Sequence, residues 1–346
     1  MEIGIYTLAD LGPNPHNGKT ISAQQRLQEI IQAAKMADEL GLDVFGVGEH
    51  HRLDYAVSAP AIVLSAVSQV TKRIKLTSTT TVLNTIDPVR LFEDFATLDL
   101  LSNGRAEIIA GRGAFIESFP LFGYDVKLYD ELFEEHIELL LKLNEEEKVT
   151  WSGRFRSSLQ DAEISPRPLQ KEIPIWIGVG GTPESAARAG RLGVGLAMAI
   201  LGGPPIRFKP LVDIYREAAS QAGHAPEILK VGVTGHAYIS KTTQQAKDEF
   251  YPYHANYWGY LNSHKGMSTR MSRADFELIA APETSLFVGS SEQVIGKILR
   301  QFELFGHQRF LAQMDIGGMP FEKVAENIER LATEVAPVVR RETGKR

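Results

Sequence analysis

The chain contains no cysteine. That absence excludes disulfides, thiolate zinc sites, iron–sulfur clusters and cysteine nucleophiles. No apolar run approaches the ~18 residues needed to cross a bilayer. Neither sign of charge dominates: 37 Lys and Arg against 43 Asp and Glu leave a formal net charge of −6. So mild a balance gives no electrostatic footprint for nucleic acid or an anionic membrane. No Gly-x-Gly-x-x-Gly opens a βαβ unit, so the dinucleotide fingerprint is missing. The start, Met1-Glu2-Ile3-Gly4-Ile5, enters a strand pattern at once, without the basic and apolar regions of a signal peptide. What is present, 346 residues with 43% hydrophobic and 23% charged, suits a globular enzyme, and the cytoplasm is its expected location.

Apolar segments alternate along the chain with helical patterns. Strands are expected at 3–8, 43–48, 74–83, 105–110, 173–179, 195–200, 230–239 and 309–316. After the first, Ser22 with Gln25 three residues on reads as a helix start, Leu27 to Leu40 recur at helical spacing, and Gly41 fits the cap. Pro88 and Pro183 sit at first helical turns. Eight strands, each followed by a helix, predict an α/β fold of the (β/α)8 barrel type in a single domain over 1–346. A doubly wound sheet is the rival, less suited to such regular units. Two insertions interrupt the rhythm, after strands four and seven, at about 149–172 and 241–286. In the second, Phe250, Tyr251, Tyr253, Tyr257, Trp258 and Tyr260 crowd together, as a lid over a site, a dimer interface or a small satellite core.

Active sites of such barrels form at the carboxyl ends of the strands. Strand two delivers Glu49-His50-His51 there. Successive side chains of extended backbone point to opposite faces, so the two imidazoles do not converge, and no metal site is expected. Strand four ends in Gly111-Arg112-Gly113. The guanidinium suits a phosphate fork, and the alternative is a solvated arginine on a surface turn. Strand five ends in Gly180-Gly181-Thr182-Pro183, either a tight turn capped by Thr182 or an anion site of backbone N–H groups and a hydroxyl. Arg112 and this turn would act from adjacent strands.

These residues resemble the luciferase-like flavin monooxygenases, the superfamily of the bacterial luciferase α subunit. Glu49-His50-His51 looks like the family's Glu-His-His after strand two. Asn84-Thr85-Ile86-Asp87-Pro88-Val89-Arg90, Leu101-Ser102-Asn103-Gly104-Arg105 and Gly111-Arg112-Gly113 are similar to its next motifs, in order. Phe119-Pro120-Leu121-Phe122-Gly123-Tyr124-Asp125, Trp151-Ser152-Gly153-Arg154-Phe155 and Pro166-Arg167-Pro168-Leu169-Gln170 continue the series. The resemblance spans nearly the whole chain apart from the aromatic insertion.

It implies a homodimeric barrel that binds FMN, with Arg112, Gly180, Gly181 and Thr182 at the phosphate and Val179 lining the cofactor site. It also implies a non-proline cis peptide under the flavin at Thr79–Thr80. Tyr6 and the strand-six residues Met198 and Ala199 would line the pocket. His50, hydrogen-bonded to Glu49 or a backbone carbonyl, would be the general base. The implied reaction uses reduced FMN from a separate NAD(P)H:flavin reductase, with O2, on a small organic substrate through a flavin C4a-peroxide. Alternatives are an F420-dependent hydride-transfer enzyme of the same superfamily, a flavin-free barrel enzyme acting on a phosphorylated substrate, and a non-catalytic flavin-binding partner subunit. Gly180-Gly181 replaces the luciferase serine, and the reactive cysteine and long-chain aldehyde pocket are missing, so light emission is not expected.

Overall fold

The structure, a computed structural model, describes residues 1–264 and 271–344. Eight parallel strands close on themselves: β1 (Glu2–Thr7), β2 (Val44–Val47), β3 (Lys75–Ser78), β4 (Ala106–Gly111), β5 (Ile175–Val179), β6 (Gly195–Ala199), β7 (Val231–Ser240) and β8 (Arg309–Gln313). β8 pairs with β1 and β6 with β7, which completes the barrel. The expected third strand, 74–83, is broken: β3 ends at Ser78, the Thr79–Thr80 peptide is cis, and Thr81–Val82 resumes pairing with β4.

The helices that follow the barrel strands are α1 (Ala23–Glu39), α2 (Pro60–Ser68), α3 (Pro88–Ser102), α4 (Tyr129–Glu145), α5 (Pro183–Arg191), α6 (Lys209–Gln221), α7 (Thr243–His264), α8 (Ser291–Phe305) and α9 (Phe321–Arg330), with shorter helices at Ser118–Phe122, Arg273–Ile279 and Ala336–Thr343. Their starts follow the local chemistry. The Ser22 hydroxyl accepts from the N–H of Gln25, Asp87 caps Val89 with Pro88 at the first position, and Ser290 caps Gln293. Gly41 follows α1 with φ +82°.

Period-two alternation sorts the strand residues. Leu76, Ile108, Ile177, Leu196, Met198 and Val233 join the large core between barrel and helices. Tyr6, Val44 and Leu311 form one small interior cluster, and Ile109, Trp176 and Ala197 another. The amino end of the barrel is closed by charge. Arg309 donates to Glu107 at 2.5 Å and to Glu2 at 2.7 Å, Lys75 donates to Glu2 at 2.7 Å, and the guanidinium lies 4.4 Å over Trp176. Arg309 and Glu107 are both buried, so the pair is held by mutual attraction in low dielectric and loses heavily if one partner is removed. This floor leaves the carboxyl end as the open mouth.

The first insertion is an antiparallel hairpin, Lys148–Trp151 with Leu159–Glu163. The second enters as α7, continues through a short helix (Arg273–Ile279) and returns as Phe287–Ser290, which extends the sheet beside β7. Its 265–270 portion lies outside the described residues. Among the described residues, no helix is long and apolar enough to cross a membrane.

Candidate active site at the carboxyl end of the barrel

Glycines at strand ends make room for one dipeptide. A Cβ on Gly46 would lie 2.5 Å from the Thr79 methyl, and one on Gly48 2.8 Å from the Thr79 carbonyl oxygen. A Cβ on Gly111 would lie 2.5 Å from the Thr80 hydroxyl, and one on Gly178 2.7 Å from its methyl. Real Cβ atoms do not approach so closely, so β2, β4 and β5 are shaped around Thr79–Thr80. The cis peptide falls where the resemblance implied it.

His50 follows Glu49, whose N–H donates to the Thr80 carbonyl at 3.2 Å, and its ring lies 4.1 Å from that of Tyr55 and 5.1 Å from that of Phe115. The expected bond from His50 to Glu49 is not formed. Glu49 Oε1 lies 2.7 Å from His51 Nε2, and Oε2 accepts from the N–H of Val82 at 2.9 Å. Glu49 therefore ties β2 to the segment after the cis peptide. The reason is the alternation itself: Glu49 and His51 share one face of extended chain, and His50 takes the other. His50 Nδ1 instead faces Glu117, 3.6 Å from its Oε1.

Arg112 and Thr182 do meet. The guanidinium donates to the Thr182 hydroxyl at 3.3 Å, lies 5.0 Å over the Tyr129 ring and is ion-paired with Asp130. Thr182 occupies the cap position of α5, yet its side chain makes no cap hydrogen bond; the hydroxyl is turned to Arg112 instead. A Cβ on Gly180 or Gly181 would meet nothing within 4 Å, and Gly181 has φ +141°. Both positions thus have open space on the Cβ side, and the turn leads into α5, whose first backbone N–H groups could meet an anion. The Asp130 carboxylate on Arg112 is a stand-in for such an anion. Val179 and Met198, expected as lining, are adjacent in register but buried in the helix-side core. Ala199, half-buried, is left by the alternation on the interior side.

Tyr6 reaches the interior from β1 and hydrogen-bonds Thr234 of β7. Gln313 of β8 lies in register between Tyr6 and His236. Over this quadrant runs α7. Its Tyr257 ring is 5.5 Å from His236 and hydrogen-bonds Tyr55, Tyr260 donates to Asp10 at 2.6 Å, and Asn256 donates to the Pro13 and Gly317 carbonyls. Burial pushes the Tyr6, Tyr55 and Tyr257 phenols up, so all three stay neutral. Burial also pulls His236 down to about 4 and His254 well below its ordinary value. Neutral donors thus line this side of the mouth. Sequence reasoning missed Tyr55, Phe115, Glu117, Asp130 and His236. Their only signal was position, on loops or strand ends at the barrel's carboxyl face. Among the described residues, no group of three His, Asp or Glu side chains is arranged to hold a metal ion.

Comparison with known proteins places this geometry. The chain is 25% identical over 337 residues to the oxygenase component of flavin-dependent trigonelline monooxygenase from Acinetobacter baylyi, covering 91% of this chain and 90% of that one. It is 31% identical over 204 residues to F420-dependent glucose-6-phosphate dehydrogenase from Amycolatopsis mediterranei, covering 56% and 60%. The crystal structure of the monooxygenase RslO1 from Streptomyces bottropensis superposes with a TM-score of 0.85 at 26% identity, over 98% of this chain and 99% of that one. The family described as luciferase-like monooxygenase matches residues 1–308, and the chain belongs to that family.

Proposed function

We propose that the mouth binds FMN and that the protein is a flavin-dependent monooxygenase acting on a small organic substrate. One observation carries this reading: a guanidinium from the end of β4 and an open glycine turn from the end of β5 converge with a hydroxyl, and the guanidinium already holds an anion. Arg112, the N–H groups of Gly180 and Gly181 and the Thr182 hydroxyl would hold the phosphate. Thr79–Thr80 would support the ring system. Bound reduced FMN would supply the activation of O2.

The chain's own part is positioning, proton handling and exclusion of water. His50, beside the platform and reachable from the mouth, would accept the proton as general base. The aromatic helix α7 would shield the site from bulk water. The missing dinucleotide motif, and the designation of the trigonelline relative as an oxygenase component, support a separate NAD(P)H:flavin reductase as electron source. We read the chain further as one barrel domain and a cytoplasmic homodimer, which sedimentation velocity tests.

F420 is the second reading, favoured by the glucose-6-phosphate dehydrogenase relative. Parallel titrations with FMN and F420, followed by quenching of cofactor fluorescence, separate the two. Saturable quenching of FMN supports the proposal, and binding of F420 alone replaces it. Binding of neither leaves the anion site to a phosphorylated substrate.

A further inference from the structure

The carboxylate facing His50 comes from a different element than its own strand. Both oxygens of Glu49 are committed, to His51 and to the Val82 N–H. Glu117, the residue that leads into a short helix (Ser118–Phe122) between β4 and α4, lies 3.6 Å from His50 Nδ1. Its carboxylate also meets the backbone N–H of His51 and its own N–H. It is therefore fixed against the strand end that carries the imidazole. The ring itself is held between Tyr55 and Phe115, and the backbone N–H of His50 donates to Val57 at 3.0 Å.

We infer that Glu117 is the positioning residue of His50: it sets the orientation of the ring and favours the proton on its Nδ1. This rests on the proposal that His50 is the general base. At 3.6 Å the contact is an ion-pair separation, which a small ring rotation or a bridging water converts into a hydrogen bond. The Arg52 guanidinium lies 5.8 Å over Tyr55 and 5.1 Å over Phe115, the rings that flank His50, and is held by Asp54 at 2.7 Å. Asp54 turns both carboxylate oxygens to Arg52, and Glu117 is the carboxylate that faces His50. Burial would raise the Glu117 carboxyl, but the contacts with His50 and the two N–H groups outweigh it and hold the carboxyl below its ordinary value.

The test is the tautomer of the His50 ring, read from its nitrogen shifts by NMR in the flavin-free, full-length protein, with His50→Asn to assign its signals. A carboxylate facing Nδ1 favours the proton on that nitrogen, so Glu117→Ala is expected to move the ring toward the Nε2–H form. Glu117→Asp moves it less, and Glu49→Gln disturbs the His51 signals while leaving those of His50 in place. An unchanged tautomer pattern in folded Glu117→Ala overturns the inference. Should that variant not fold, Glu117→Asp decides alone, and an unchanged pattern in it overturns the inference equally. Because flavin is absent throughout, failure to bind FMN and failure of this pairing are separate results.

Discussion

Arg112 is proposed to serve two anions. In the free protein it pairs with Asp130, whose side chain is largely exposed at the start of α4, while its other face touches the Thr182 hydroxyl. A phosphate entering the open turn must displace or share that carboxylate. Asp130→Asn is therefore expected to tighten FMN binding roughly two- to fivefold, the scale of an exposed ion pair. Fluorescence titration at fixed salt measures it. Weaker binding would mean instead that Asp130 orients the guanidinium for the ligand. The contrast with Glu49 is instructive. That carboxylate was grouped with His50 by sequence adjacency, yet alternation turns it to His51 and Val82. Two residues of one motif thus divide into a brace and a candidate base.

Among the elements, α7 lies over one side of the mouth. Tyr260 to Asp10 and Asn256 to Pro13 and Gly317 tie it to the loops after β1 and β8. Asp10 is buried, which raises its carboxyl, although the nearby Arg26 and the bonds from Tyr260 and Gly317 work against that rise. Tyr260→Phe removes one of its donors, at a cost of ~1–3 kcal/mol, and should speed amide exchange in α7 with β4 and β5 unchanged. Equal acceleration in all three would show that α7 does not open as a unit.

The helix itself was legible in part. Phe250, Tyr253, His254, Tyr257 and Leu261 are all buried and fall on one face at helical spacing. Pro252 hid it, since proline disfavours helix interiors. Here the carbonyl it leaves unpaired is that of Asp248, an exposed residue that water can serve. The eight barrel strands were legible because buried parallel strands are short apolar runs with Gly and Pro between them. The meeting of Arg112 with Thr182 followed from strand adjacency. The Glu117–His50 pair did not, because a loop's path over the mouth depends on packing that no periodicity encodes.

The whole molecule carries neutral histidines in its interior. Burial holds His236 down at about 4, His307 at about 3 and His254 well below its ordinary value. The sign follows directly. Unfolding frees these rings to bind protons with an ordinary midpoint near 6.5, so the unfolded state gains protons first as pH falls. Their contribution to stability is whole above pH ~6.5 and is lost progressively down toward pH ~4. Each ring still neutral in the fold costs ~1.4 kcal/mol per pH unit in that window. Urea midpoints should therefore drop between pH 7 and pH 5.5, and His307→Leu should flatten that drop. A slope unaltered by the substitution would assign the acid sensitivity to other groups.

The phosphate anchor proposed at the ends of β4 and β5 is tested most directly by comparing the FMN affinity of the wild-type chain and Arg112→Ala, by fluorescence quenching at fixed salt. Loss of a charge-assisted contact predicts binding weaker by about tenfold or more. Equal affinities in the two proteins would contradict the anchor, and with it the placement of the cofactor in this mouth.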